Sequence, residues 1–183
     1  MSALKKSLLH HADISPMSKG RSDFLRDLYL FDPGAAKDKF PPRVQGTCSW
    51  LLTHHSYMEW LDSDGPRILW VTGAPGSGKT VLSTFLIDEF QNTASPHRIL
   101  CFFFSDDKYA LQKSAVALLR GILYQLLLQN QDLVKHALVQ WNVTAGKTFE
   151  ELSVLWKICT ACFDDPGLGD VICVLDALDE CEA

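Results

Sequence analysis

Residues 73–80 read GAPGSGKT and combine the residue types that bind phosphate. The glycines of this segment lack a Cβ, so the backbone can turn tightly and present its N–H groups to phosphate oxygens. A helix predicted to begin near Lys79 points the positive end of its dipole at the same anion. The segment matches G-x-x-x-x-G-K-[ST], in which Lys79 contacts the β- and γ-phosphates and the Thr80 hydroxyl binds Mg²⁺.

The flanking sequence favours the same chemistry. RILWVTG (67–73) predicts a strand buried on both faces, and VLSTFLIDEF predicts that the helix continues to about Gln91. The alternative is a glycine-rich turn that matches by chance, which we expect in roughly one chain of this size per hundred. We therefore predict that the nucleotide is bound by Gly73, Ala74, Pro75, Gly76, Ser77, Gly78, Lys79, Thr80 and Val81.

Three carboxylates follow a second apolar run, VICVLDALDE (171–180). Asp176 ends this predicted strand, at the edge where parallel α/β sheets bind ligands, so it is a candidate for holding Mg²⁺ together with Thr80. Asp179 and Glu180 are candidate catalytic bases that would orient a water near the γ-phosphate. The alternative for this pair is the solvated first turn of a helix, where acids are favoured anyway.

Neither of the elements typical of guanine-specific phosphate-loop proteins occurs in the chain. No N-K-x-D tetrapeptide is present, and the residue three after Asp176 is Asp179 rather than glycine. The predicted cofactors are therefore ATP or ADP with Mg²⁺.

The predicted elements alternate between strands and helices, which is typical of an α/β protein with parallel strands. The predicted fold is a P-loop NTPase three-layer parallel sheet with flanking helices. We divide the chain into a weakly structured tail (1–21), a helical segment (22–66) and a partial NTPase core (67–183). Helices are predicted at 22–31, in two short pieces between 47 and 65 with Thr47 and Ser56 as caps, and at 79–91, 113–129, 132–141 and 149–163; further strands are predicted at 99–105 and 171–176.

Composition excludes several functional classes. The formal net charge of -5 argues against a nucleic-acid partner, and no apolar run is long enough for a membrane span. The N-terminus lacks the apolar region of a secretory signal, so a cytoplasmic location and six reduced cysteines are expected. Cys159-x-x-Cys162 has no second ligand pair for zinc, so both are interpreted as buried thiols.

The two motifs together resemble a known family. GAPGSGKT followed by VLDALDEC resembles the NACHT group of STAND signalling ATPases. Upstream, VQGTCSWLLTHHSYMEWLDSDGPRILWVTG is similar to the fungal pattern called the nephrocystin-3-like N-terminal domain. The resemblance covers roughly residues 24–183.

The resemblance implies a nucleotide-dependent switch, in which exchange of ADP for ATP opens the protein and leads to homo-oligomerisation or binding of protein partners. It also implies weak adenine-side roles for Arg43, Val44 and Thr47, whose alternative is a capped helix that packs Trp50 on the core. In related ATPases a sensor strand lies between the phosphate-loop strand and the acidic strand. The chain stops at Ala183 before such a strand, so we expect an incomplete sheet with unpaired backbone groups.

Two other functions remain open from sequence. A P-loop kinase for a small acceptor would need an arginine-rich lid, but SDDKYALQKS (105–114) contains no arginine. A non-catalytic scaffold module could instead use the nucleotide only for stability, since a ligand at ~100 times its Kd stabilises a fold by about 2.7 kcal/mol. Any enzyme activity is expected to be that of a weak Mg²⁺-dependent ATPase.

Overall fold

A computed structural model describes residues 16–93, 98–144 and 149–181 of the chain. Most of the predicted N-terminal tail, residues 1–15, lies outside the described residues. The described residues form the helices and strands of a mixed α/β protein. They are α1 (Pro16–Leu28), α2 (Pro33–Lys37), α3 (His55–Leu61), α4 (Lys79–Asn92), β1 (Arg98–Phe104), α5 (Ala115–Gln129), α6 (Val134–Thr144), α7 (Leu152–Phe163) and β2 (Asp170–Asp176), with 3₁₀ segments at Ser49–Thr53, Gln131–Leu133 and Leu178–Glu180.

The two strands pair in parallel, which confirms the predicted direction of the sheet. Arg98 lies opposite Asp170, and Phe104 lies opposite Asp176, so both strands end at the same edge. Successive side chains of a strand point to opposite faces, and those of β1 are buried on both. This is why the segment reads as a continuous apolar run rather than an alternating one.

Helices cover both faces of this small sheet. On one face, α5 and α7 pack with α1 and α6 around a core that includes Cys101 and Phe103 of β1. On the other face, α4 contacts both strands, and its Phe85 shares an apolar cluster with Ile172 of β2. The helix dipole and first turn of α4 are thereby fixed against the carboxyl edge of the sheet.

The prediction of a strand at 67–73 is wrong. Residues 66–74 carry no regular secondary structure, and within the described part of the chain only β1 and β2 form a sheet. Ile68 is 86% exposed and Trp70 is 70% exposed, so the apolar residues that suggested burial lie largely in solvent. A strand exists only through backbone hydrogen bonds to a neighbour, and neither β1 nor β2 supplies them to this segment.

Side-chain amides occupy the outer edge of β1. Gln129 accepts a hydrogen bond from the Leu100 N–H (3.2 Å) and donates one to its carbonyl (2.8 Å). Gln125 does the same for Phe102, at 3.0 and 2.8 Å. Two glutamines one helical turn apart on α5 therefore satisfy backbone groups that an additional strand would otherwise have to pair.

Several helix boundaries differ from those predicted. Helix α1 begins at Pro16 rather than Ser22, and proline is well tolerated in a first helical turn. The cap residues Thr47 and Ser56 were wrongly predicted. Cys48 precedes the first short helix, and the ring of His54 accepts from the Ser56 N–H at the start of α3. Histidine is not among the usual capping residues, which explains why sequence reasoning missed it.

None of the cysteines in the described part of the chain forms a disulfide bond. Burial raises the pKa of both Cys159 and Cys162 to about 12, so these thiols stay protonated and are poor metal ligands. In the described part of the chain, no helix has both the length and the apolar character needed to cross a membrane.

Candidate functional site

The phosphate-loop segment forms a tight turn directly before α4. Gly76 (φ 74°) and Gly78 (φ 88°) have left-handed backbone conformations that residues with a Cβ rarely adopt. At Gly73 a Cβ would lie 2.8 Å from the Ser77 hydroxyl oxygen, which is too close for any other residue without a shift. The backbone conformation thus favours glycine at Gly76 and Gly78, and the close approach of the Ser77 side chain favours it at Gly73.

The side chain of Lys79 folds over the beginning of the loop. Its Nζ donates to the carbonyl oxygens of Gly73 (2.9 Å) and Ala74 (3.2 Å). The Ser77 N–H donates to the same Ala74 carbonyl at 3.1 Å, which closes the turn. The ammonium group of Lys79 therefore lies within the loop rather than in open solvent around α4.

The hydroxyls of Thr80 and Ser83 both donate to the carboxylate of Asp176. Thr80 Oγ1 lies 2.7 Å from Asp176 Oδ2, and Ser83 Oγ lies 3.0 Å from Asp176 Oδ1. Residues three apart on a helix share one face, so the first two turns of α4 can present both hydroxyls to the end of β2. Asp176 is only 7% exposed, which places this carboxylate in a setting where its hydrogen bonds are needed.

Backbone hydrogen bonds fix the position of Asp176 at the sheet edge. The N–H of Ser105, the residue after β1, donates to the Asp176 carbonyl at 3.0 Å. Ala177 then adopts a left-handed conformation (φ 54°), which costs an alanine about 1–2 kcal/mol. This conformation ends β2 abruptly and leads into the 3₁₀ segment Leu178–Glu180.

The turn after β2 brings Glu180 to the acids that follow β1. One carboxylate oxygen each of Asp106, Asp107 and Glu180 lies within 4.8 Å of the other two. Asp179 is not part of this group, although it is adjacent in sequence. Both predicted bases are exposed, so the structure distinguishes them by their neighbours rather than by burial.

The three adenine-side candidates lie together beside α4. Arg43 donates from Nη1 to the Thr47 carbonyl (2.8 Å), and its guanidinium carbon lies 4.4 Å from the centre of the Phe85 ring. The Thr47 hydroxyl donates to the carbonyl of Val44, whose side chain is 74% exposed. This arrangement connects the segment before the loop to the helix after it, while a role in binding a base stays a prediction.

The residues present fit a magnesium–nucleotide complex. The Ser77 hydroxyl packs closely against Gly73, and the left-handed Gly76 and Gly78 have open space where a Cβ would lie, so these glycines shape a loop that backbone N–H groups can line. The side chains of Thr80, Ser83 and Asp176 offer only oxygen atoms, the ligand type that Mg²⁺ prefers. Lys79 adds a positive charge to the loop, which would attract an anion.

Sequence reasoning missed Ser83, Asp106 and Asp107. The spacing of Ser83 from Thr80 on a predicted helix was a usable signal, because i and i+3 residues share a face. The position of the two acids after β1 was a weaker signal, since it becomes informative only when β1 is known to lie beside β2.

Comparison with known proteins identifies relatives of the chain. The sequence model of the family described as "Nephrocystin 3, N-terminal" matches residues 46–183. The chain is also similar to the vegetative incompatibility protein HET-E-1 of Podospora anserina, with 35% identity over 164 residues. That alignment covers 86% of this chain and 12% of the relative, so the chain spans about an eighth of the relative's length. No solved structure matches the chain.

The family match covers well over half of the chain and includes both the glycine loop and the acidic strand end. The similarity to HET-E-1, which covers 86% of the chain, supports the same assignment. The resemblance inferred from the two motifs is therefore confirmed: the chain belongs to the nephrocystin 3 N-terminal family and is a NACHT domain of the fungal NLR-like type.

Proposed function

We propose that this chain binds ATP and ADP as magnesium complexes and acts as the nucleotide-binding core of a signalling switch. The observation that carries the proposal is the hydrogen bond between Thr80 and Asp176. It joins the first turn of α4, which follows the glycine loop, to the end of β2, which carries the acids. The glycine loop and the acidic strand end are therefore close enough to contact one ligand.

Each part of the site has a distinct task in this proposal. Backbone N–H groups of residues 73–80 and the Lys79 ammonium hold the phosphates, and the α4 dipole adds to the attraction. Thr80 and Asp176 hold the metal between loop and strand, Asp176 directly or through a water. Bound Mg²⁺ would neutralise charge on the β- and γ-phosphates. Glu180 or Asp179 would orient water if hydrolysis occurs.

The switch function follows from differential binding. A nucleotide shifts a conformational equilibrium only if it binds the two states unequally, and a γ-phosphate is the group that distinguishes ATP from ADP. In this proposal the glycine loop, helix α4 and the end of β2 all contact the phosphates. Loss or gain of the γ-phosphate would therefore shift these elements relative to one another. The proposal includes a role in incompatibility, as in the name of the relative from Podospora anserina. It also includes self-association and a cytoplasmic location.

Isothermal titration calorimetry tests the binding proposal. The wild-type chain is expected to bind Mg·ATP and Mg·ADP and to discriminate against Mg·GTP. Lys79→Ala should abolish this binding while the circular dichroism spectrum stays unchanged. Lys157→Ala, on the exposed face of α7, is the matched control and should bind like wild type. Unchanged affinity of Lys79→Ala would refute the assignment of the loop.

Assays of assembly and of ADP release distinguish the two alternative functions from the proposed switch. A scaffold module that uses nucleotide only for stability would have one conformation, whichever nucleotide is bound. ATP and ADP would then give the same elution volume in size-exclusion chromatography. A small-molecule kinase would release ADP only when an acceptor alcohol or acid is added. The proposed switch should show a nucleotide-dependent change in assembly without any acceptor.

A further inference from the structure

Ser83 contacts the proposed metal-binding carboxylate from one helical turn below the phosphate loop. Its Oγ donates to Asp176 Oδ1 at 3.0 Å, while Thr80 Oγ1 donates to Oδ2 at 2.7 Å. The two carboxylate oxygens are therefore bound by different hydroxyls. Because Asp176 is 7% exposed, water has little access to replace either hydrogen bond.

Magnesium makes strict demands on the direction of its ligands. It requires near-octahedral geometry, so the orientation of a carboxylate that binds it or its water shell affects affinity. A threonine hydroxyl that binds the metal through its oxygen keeps its proton, so Thr80 can still donate to Asp176, and Ser83 supplies a second side-chain donor, on the other carboxylate oxygen. A donor on Oδ1 fixes the rotation of the carboxylate and leaves Oδ2 facing Thr80.

We infer that Ser83 is a positioning residue for magnesium: it holds Asp176 so that Oδ2 is directed at the metal bound beside Thr80. This inference rests on the proposed function, because it assigns a role at the same site. Outer-sphere partners of this kind typically change metal affinity 10–100-fold when they are removed.

The Ser83 hydroxyl has a second acceptor within hydrogen-bond distance, which competes with Asp176 for its proton. Ser83 Oγ also lies 3.1 Å from the carbonyl oxygen of Lys79, four residues earlier on α4. A hydroxyl has one proton, so Ser83 can donate to only one of these acceptors at a time. The lower end of the 10–100-fold range, about tenfold, is therefore expected for loss of this hydroxyl.

Two substitutions and a control distinguish an effect on the orientation of Asp176 from a general loss of structure in α4. Ser83→Ala removes the hydroxyl, and Ser83→Thr keeps it on a slightly larger side chain. Thr93→Ala is the control, because the Thr93 hydroxyl also donates to a carbonyl four residues earlier on α4, that of Glu89, without touching Asp176. All three variants should retain the wild-type thermal midpoint to within a few degrees.

The experiment measures ADP binding by calorimetry, first in EDTA and then at increasing Mg²⁺. Ser83→Ala should raise the half-saturating Mg²⁺ concentration about tenfold and leave ADP affinity in EDTA unchanged. Ser83→Thr and Thr93→Ala should match wild type.

Two results would overturn the inference about Ser83 while the binding proposal stands. One is a wild-type Mg²⁺ dependence in Ser83→Ala. The other is an equal loss of ADP affinity with and without metal, which would show a structural effect on the loop. If the wild-type chain shows no effect of Mg²⁺ on ADP binding, the proposed metal site fails, and the role of Ser83 fails with it.

Discussion

Thr80 and Asp176 are 96 residues apart in the chain, and a 2.7 Å hydrogen bond joins their side chains. One follows a glycine loop at the start of a helix, and the other ends a parallel strand. The residues around Thr80 and those around Asp176 do not by themselves predict that the two side chains are close together. This proximity results from packing of α4 against β2, which brings the beginning of the helix to the carboxyl edge of the sheet.

Asp176→Asn should weaken metal-dependent binding more than nucleotide binding itself. An amide keeps the size of the side chain and can still accept a hydrogen bond from Thr80 or Ser83, but it carries no charge for Mg²⁺. We expect the half-saturating Mg²⁺ concentration to rise by at least about tenfold, with ADP affinity in EDTA kept within about twofold. Calorimetry with and without metal measures both. Equal Mg²⁺ dependence in variant and wild type would remove Asp176 from the metal site.

Glu180→Gln should retain Mg·ATP binding and lose whatever hydrolysis the chain supports. A general base typically contributes about 10²–10⁴-fold to rate, and glutamine cannot accept the proton. Asp179→Asn tests the second candidate base, which is one residue away and outside the carboxylate group that Glu180 forms with Asp106 and Asp107. Phosphate release under single-turnover conditions measures the rate. If only Asp179→Asn loses hydrolysis, the base is Asp179; if neither does, the base lies elsewhere.

The sequence predicted those parts of the fold whose patterns are local. The glycine loop, helix α4 and strands β1 and β2 each depend on a short run of residues, and their existence was predicted correctly. The strand at 67–73 failed because strand formation requires a neighbour, which no local pattern encodes. Ser83 and the acids after β1 were missed for a related reason: their partners are distant in sequence, and only the packed sheet brings them together.

Asp165→Asn should lower thermal stability in a pH-dependent way. Hydrogen bonds from Lys135, from His136 and from the Gly167 N–H hold the pKa of the buried Asp165 carboxyl below its usual range. A depressed folded-state pKa contributes stability that is present above the unfolded value of about 4 and is lost as the pH falls through the folded-state pKa.

The thermal midpoint of Asp165→Asn should therefore be lower than that of wild type at pH 7. The difference should begin to shrink as the pH is lowered from about 4 to 3, because the unfolded wild-type chain then takes up a proton at Asp165 while the folded state does not. Asp164→Asn, at the exposed end of α7, should match wild type throughout. A difference that stays constant from pH 7 to pH 3 would contradict the ionic account of this contact.

The two buried cysteines of α7 should resist alkylation. Burial raises the pKa of Cys159 and Cys162 to about 12, so their reactive thiolate form is scarce at pH 8. Cys173 of β2 is exposed and should react first with iodoacetamide. Mass spectrometry of the native chain measures each site, and labelling in urea shows that every thiol is chemically competent. Labelling of Cys159 at the rate of Cys173 would contradict the burial of α7.

The most direct test of the central claim is a crystal structure of the wild-type chain with Mg·ADP. We expect the phosphates within the 73–80 loop, Mg²⁺ at about 2.1 Å from Thr80 Oγ1, and Asp176 bound to the same ion directly or through one water. A nucleotide bound elsewhere on the chain, or a metal ion without any contact to Asp176, would contradict this expectation.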